Sequence, residues 1–111
     1  MMEQASNVEE NIESRFLSLT QEEKTAVITH GVAMRISDLK KRLFLAESKV
    51  RFFEEKYQTK LDVLEARGLP DDADIDMHED YIMWHHWTDE AINTENKVRE
   101  LESIAAYGVY R

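Results

Sequence analysis

The sequence predicts an all-α protein built on one long central helix. Apolar residues recur at alternating steps of four and three through Val32, Ile36, Leu39, Leu43, Ala46, Val50, Phe53, Tyr57 and Leu64, the spacing of a helix that buries one seam against other helices. Helix signals bound this run. Thr20 and Glu23 form a capping box at its start, Arg67-Gly68 followed by Pro70 ends it, and no proline lies between. The chain of 111 residues has only three glycines and one proline, and 33% of it is charged, which together with the periodic apolar residues favours helices over disorder.

Taken in order, Val8, Ile12 and Phe16 predict a short amphipathic helix over about 7–17, opened by a capping box between Ser6 and Glu9 and closed by a turn at Ser18-Leu19-Thr20. The central helix follows over about 21–67. At 1.5 Å per residue it would be ~70 Å long. Lys60 interrupts its seam, Leu61 beside it can cover the gap, and Gly31 is the point where a bend would fall. An acidic loop, LPDDADID, leads to a third helix over about 76–106, capped by Asp76 with Glu79. Its seam reads Met77, Tyr81 or Asp80, Trp84, Trp87, Ala91, Thr94, Val98, Leu101 and Ala105, and Gly108 onward reads as a frayed end.

A loop centred near residue 71 sets the register of the antiparallel hairpin. Tyr57 falls opposite Trp84, Val50 opposite Ala91, Leu43 opposite Val98 and Ile36 opposite Ala105. Aromatic meets aromatic and aliphatic meets aliphatic. The third helix ends near residue 36 of the rod, and the N-terminal helix, folded back, would cover residues 21–31. The expected architecture is thus a single domain, 1–111, with a long helix flanked by a shorter antiparallel helix at each end. A core two helices wide is thin for this length, which favours a dimeric helical bundle or a dedicated partner.

The net charge is −9 and unevenly spread. Residues 20–67 hold eight acids and ten bases, whereas residues 68–111 hold eleven acids and three bases. The contrast can help an antiparallel flank choose the rod, although exposed pairs contribute only ~0–1 kcal/mol each. A surface of this charge repels nucleic acid and attracts a basic partner. No stretch approaches the ~18 apolar residues of a membrane span, and the acidic N-terminus lacks a signal-peptide layout, so the cytoplasm is the expected compartment. The absence of cysteine excludes disulfides and thiolate metal sites.

A second apolar set lies off the seam: Phe44, Leu45, Phe52 and Val63 on the rod, and Ile82 and Met83 on the third helix. An apolar stripe containing two phenylalanines suits contact with another chain. Phe44, Leu45 and Phe52 are therefore the candidate dimer face.

The reactive side chains cluster at 78–90. His78, His85, His86 and Glu90 share helix faces at spacings that suit zinc or a di-metal centre. The Glu-x-x-His pattern of di-iron bundles is absent, and a metal would need Glu54 or Glu55 from the rod. Solvated histidines beside a tryptophan core are the plainer reading, so no metal or other cofactor is expected. Asp72-x-Asp74-x-Asp76 opens like a calcium loop, but Met77 replaces the glycine and Met83 the final glutamate. The bases around Lys40-Lys41-Arg42, Lys49 and Arg51 alternate with acids over several helix faces and read as solvated. Tyr57, Trp84 and Trp87 read as core. No glycine-rich phosphate loop or nucleophile arrangement is present, and nothing suggests an enzyme.

The segment Phe53-Glu54-Glu55-Lys56-Tyr57, followed by an Asp-rich loop and His78-Glu79-Asp80-Tyr81-Ile82-x-Trp84, resembles a group of small helical prokaryotic proteins with an FEEKYG…HEDYIEW pattern, associated with toxin–antitoxin pairs on the antitoxin side. The likeness spans about residues 46–100. Gln58 stands where that pattern has glycine, and Met83 where it has glutamate. The resemblance implies a binding role without catalytic residues: an antitoxin that neutralises a basic toxin, such as a ribonuclease, by direct contact. Asp72, Asp74, Glu79, Asp80, Asp89 and Glu90 are the candidate contacts. A structural coiled-coil homodimer and a metal-binding bundle are the alternatives.

Overall fold

The structure, a computed structural model, describes residues 11–109. Four helices follow in order: α1 over 11–17, α2 Gln21–Tyr57, α3 Leu61–Arg67 and α4 Ile75–Val109, with no strand among the described residues. Helices α2 and α4 pack as a long antiparallel hairpin. The molecule measures 64 × 43 × 20 Å, and its least dimension is two helix diameters of ~10 Å.

Periodicity produces the core. Leu39, Ala46 and Phe53 recur every seven residues on α2 and are the buried residues of that helix. Opposite them Trp84, Thr94 and Val98 are buried on α4. The remaining seam positions, from Val32 to Tyr57 and from Met77 to Ala105, are half-buried. The expected register holds: the Tyr57 ring stacks on Trp84 with centroids 5.8 Å apart and planes 14° apart. The charge contrast between the helices also finds its pairs. Lys40, Arg42 and Lys56 of α2 meet Glu102, Glu90 and Asp80 of α4 at 3.4, 4.0 and 2.5 Å.

The central rod is not one helix. It stops at Tyr57 and resumes at Leu61. Gln58 takes the left-handed conformation at φ 51°, where its N–H and that of Thr59 both donate to the Glu54 carbonyl. The cause is Lys60. In an unbroken helix it would occupy the seam one turn beyond Tyr57, opposite Tyr81 in this register, where burying an ammonium is costly. Breaking the helix leaves Lys60 exposed and turns both Leu61 and Leu64 inward, where they are buried with Phe53 and Trp84. α3 then ends as expected at Gly68, whose φ of 79° suits glycine and whose N–H donates to the Leu64 carbonyl at 2.8 Å.

Other boundaries also move. The cap of α4 is Asp74 rather than Asp76: its Oδ1 accepts from the Met77 N–H at 2.9 Å, and the helix begins at Ile75. A carboxylate three residues before an N–H closes the first turn, a place Asp76 cannot occupy for Met77. The helix also continues through Gly108 to Val109. At the other end, α2 is helical through Gly31, and Thr20 Oγ1 caps it by accepting from the Glu23 N–H at 3.1 Å. Helix α1 is present over 11–17, while Ser6, Val8 and Glu9 lie outside the described residues. It does not cover the start of α2. Residues 21–31 are exposed apart from half-buried Lys24, and Ile12, Leu17 and Leu19 are exposed too.

Candidate functional site

The densest constellation lies where the acidic loop, α3 and the first turns of α4 meet. Its floor is aromatic. Trp84 is fully buried and lies between Phe53, 5.9 Å away, and Tyr57. Leu61 and Leu64 of α3 close one side, and Met77, Tyr81 and Trp87 pack around it.

Above this floor sits a polar clamp. Asp80, one turn before Trp84, accepts through Oδ2 from both Lys56 Nζ and Tyr57 OH at 2.5 Å. The Lys56 hydrogen bond, then that from Tyr57, holds the Asp80 carboxyl below its ordinary range. Lys56 is raised in turn, chiefly by that same bond. Tyr57 is raised first by burial and then by Asp80. At neutral pH the group is therefore ammonium, phenol and carboxylate, tying the last turn of α2 to the first turns of α4.

A second cluster joins α3 to α4. His85 lies between two carboxylates, Nε2 3.2 Å from Glu65 Oε1 and Nδ1 3.1 Å from Asp89 Oδ2. Tyr81 OH donates to the same Glu65 oxygen at 3.4 Å, and burial followed by the Glu65 charge raises the Tyr81 phenol.

The histidine candidates are not brought together. His85 takes Glu65 and Asp89, His86 stands exposed beside Trp87 with ring centroids 5.1 Å apart, His78 is exposed, and Glu90 lies toward Arg42. Among the described residues no group of three histidine or acidic side chains is placed to hold a metal ion. Glu54 and Glu55 do not supply the carboxylate near His85. Glu65 does, because the break at residues 58–60 swings α3 onto α4. Asp72, Asp74 and Asp76 line a shallow groove with Lys56 and Tyr57, and Asp74 is committed there as the helix cap.

The proposed contact acids divide in the same way. Asp72 and Glu79 are exposed, with no ion pair among the described residues. Asp74 caps α4, and Asp80, Asp89 and Glu90 each face a cation or histidine of the chain itself. Lys56 and Glu65 were not anticipated as partners. The hairpin register alone put Asp80 near the end of α2, a signal that Lys56 was in reach, but Glu65 depends on the turn before α3. No helix among the described residues is long and apolar enough to cross a membrane.

No family model, curated protein or solved structure matches the chain. The site must be read from its own geometry. The motif residues Phe53, Tyr57, Asp80 and Trp84 face inward and hold the hairpin together, and one oxygen of Asp80 already has two donors. What faces outward is different. Ile75 and Ile82 lie a heptad apart on the solvent side of α4, 75% and 64% exposed, with Glu79 and Asp89 exposed around them. Ile82 has His78, Glu79, His85 and His86 as its neighbours on the helix. The face thus joins an apolar pair to the acid Glu79 among histidines, and apolar anchors beside acidic charge suit contact with a basic protein surface.

Proposed function

We propose that the chain is a non-enzymatic binding protein, an antitoxin that covers the basic surface of a cognate toxin through the outer face of α4 and the acidic loop. The observation that carries this reading is the exposed pair Ile75 and Ile82 on one face with exposed Glu79, next to exposed Asp72 of the loop, on the acidic part of the chain. Desolvated apolar anchors set affinity at such interfaces, while surrounding charge speeds encounter. The likeness to antitoxins in Phe53–Tyr57 and His78–Trp84 supports the same reading, with those residues building the scaffold that presents the face. A ribonuclease is the kind of toxin the charge suits, because its substrate-binding surface is basic.

Expression of the neighbouring gene alone should arrest growth, and co-expression of this protein should restore it. Ile82→Asp should abolish rescue while leaving the helical circular dichroism unchanged. Continued arrest in the presence of the wild-type protein sinks the proposal. A second reading, an adaptor whose homodimer is its whole role, draws on the exposed Phe44, Leu45 and Phe52 of α2. It predicts no arrest by the neighbouring gene.

A further inference from the structure

The outward face of α2 carries a pattern that neither the hairpin core nor the toxin-binding face uses. Phe44, Leu45 and Phe52 are 68%, 47% and 56% exposed. They lie around half-buried Ser48, whose hydroxyl already donates to the Phe44 carbonyl at 2.8 Å and needs no outside partner. One turn beyond, Lys41 and Glu55 stand at equal distances on either side of Ser48, both exposed. The face is therefore apolar about Ser48 and opposite in charge at its two ends.

Such a face complements itself when turned end for end. We infer that two copies of this chain pair through α2, antiparallel, about a two-fold axis at Ser48. A two-fold contact repeats every pairing twice. In this register Leu45 meets Phe52 of the second copy and Phe52 meets its Leu45. Lys41 meets Glu55 at both ends, and small Ser48 at the centre lets the helices approach. Arg51, whose guanidinium lies 3.3 Å from Ser48 Oγ, stands opposite Phe44 of the second copy, where a guanidinium over a ring is favourable. A parallel pairing would instead set Lys41 on Lys41 and Glu55 on Glu55. Along the edge of the contact Arg42 and Lys56 are already neutralised by Glu90 and Asp80 of their own chain.

The shape of the protomer agrees. Its accessible surface is 8857 Å², against about 6,400 Å² for a compact chain of this mass. Its radius of gyration is 21.2 Å, against about 13 Å for a compact domain of this length. Pairing through α2 leaves both α4 faces outward, so the dimer stands whether or not the toxin reading does.

Sedimentation equilibrium on the full chain across a concentration series tests it. The expected mass is twice 13.1 kDa. Phe44→Glu with Phe52→Glu should give a monomer with unchanged helicity, since both side chains are exposed in the protomer. Lys41→Glu and Glu55→Lys should each raise the dissociation constant about tenfold, from two lost ion pairs of up to ~1 kcal/mol each, and the double reversal should restore it. Because the chain has no cysteine, Ser48→Cys should form a disulfide-linked dimer on mild oxidation and Ile82→Cys should not. A monomeric mass at every concentration overturns the dimer. A dimer whose Ser48→Cys form does not cross-link, or whose charge reversals fail to compensate, overturns this register.

Discussion

Two substitutions at Trp84 should behave very differently, and the difference rests on one nitrogen. The indole is fully buried between the rings of Phe53 and Tyr57, at 5.9 and 5.8 Å. Truncation to alanine removes that packing and leaves a cavity, at a cost of about 3–5 kcal/mol. A chain of this length has roughly 6–17 kcal/mol in all, and a core this thin belongs near the lower end. The midpoint of thermal unfolding should fall by about 15–30 °C. Phenylalanine loses part of the indole volume, about 1–2 kcal/mol, but keeps a ring in the stack. It also removes Nε1–H, which is buried with no hydrogen-bond partner among the described residues. Such an orphaned donor costs about 1–3 kcal/mol. The two effects oppose, so Trp84→Phe should lie within about 1 kcal/mol of wild type. Urea unfolding followed by far-ultraviolet circular dichroism measures both, with equal slopes required for comparison. A phenylalanine variant as unstable as the alanine variant would refute the reasoning, because it would mean that Nε1–H is satisfied.

Three further outcomes follow from the clamp and the backbone. Asp80 is lowered and Lys56 raised, so the stability that Asp80 adds is present above the ordinary carboxylate range and lost as pH falls through its lowered value. The Lys56 part is present below the ordinary lysine value and lost as pH rises through its raised one. Asp80→Asn should therefore cost about 1–2 kcal/mol, constant from about pH 5 to 9 and shrinking outside that window; a urea series across pH checks this. Gln58→Gly should gain about 0.5 kcal/mol, because Gln58 holds φ 51° and glycine takes that conformation without strain, less the bond from its amide to the Glu55 carbonyl. Gly31→Ala should gain about 0.5–1 kcal/mol, since Gly31 lies inside α2 and an added Cβ meets nothing within 4 Å. Thermal midpoints of the two variants should both rise.

Helix content, the hairpin and its register were legible in the sequence, and for one reason. A seven-residue repeat sustained from Val32 to Tyr57 and from Met77 to Ala105 names a buried seam on each helix, and pairing Tyr57 with Trp84 aligns the two. Such patterns are local, and every residue in them contributes. The break at Gln58–Lys60 was only half visible. Lys60 marked a fault in the seam, but whether a helix tolerates the fault or breaks depends on what lies opposite. Here that is the aromatic end of α4, where Tyr81 and Trp84 reward a turn that exchanges Lys60 for Leu61 and Leu64. The cap at Asp74 rather than Asp76 depended on which of two aspartates could reach an N–H three residues on.

The polar clusters were beyond the sequence because they follow from that turn. The direction of α3 brings Glu65 to His85, and the tertiary approach of Lys56 and Tyr57 engages Asp80, a side chain otherwise readable as a free contact acid. Spacing along one helix names neighbours on a face; partners across helices depend on side-chain reach. The sequence by itself determined two amphipathic helices, their antiparallel pairing and an acidic outer surface, all carried by period and charge. Tertiary structure alone decided where the rod breaks and which acids are spent inside the chain, because both depend on the few ångströms separating residues distant in sequence.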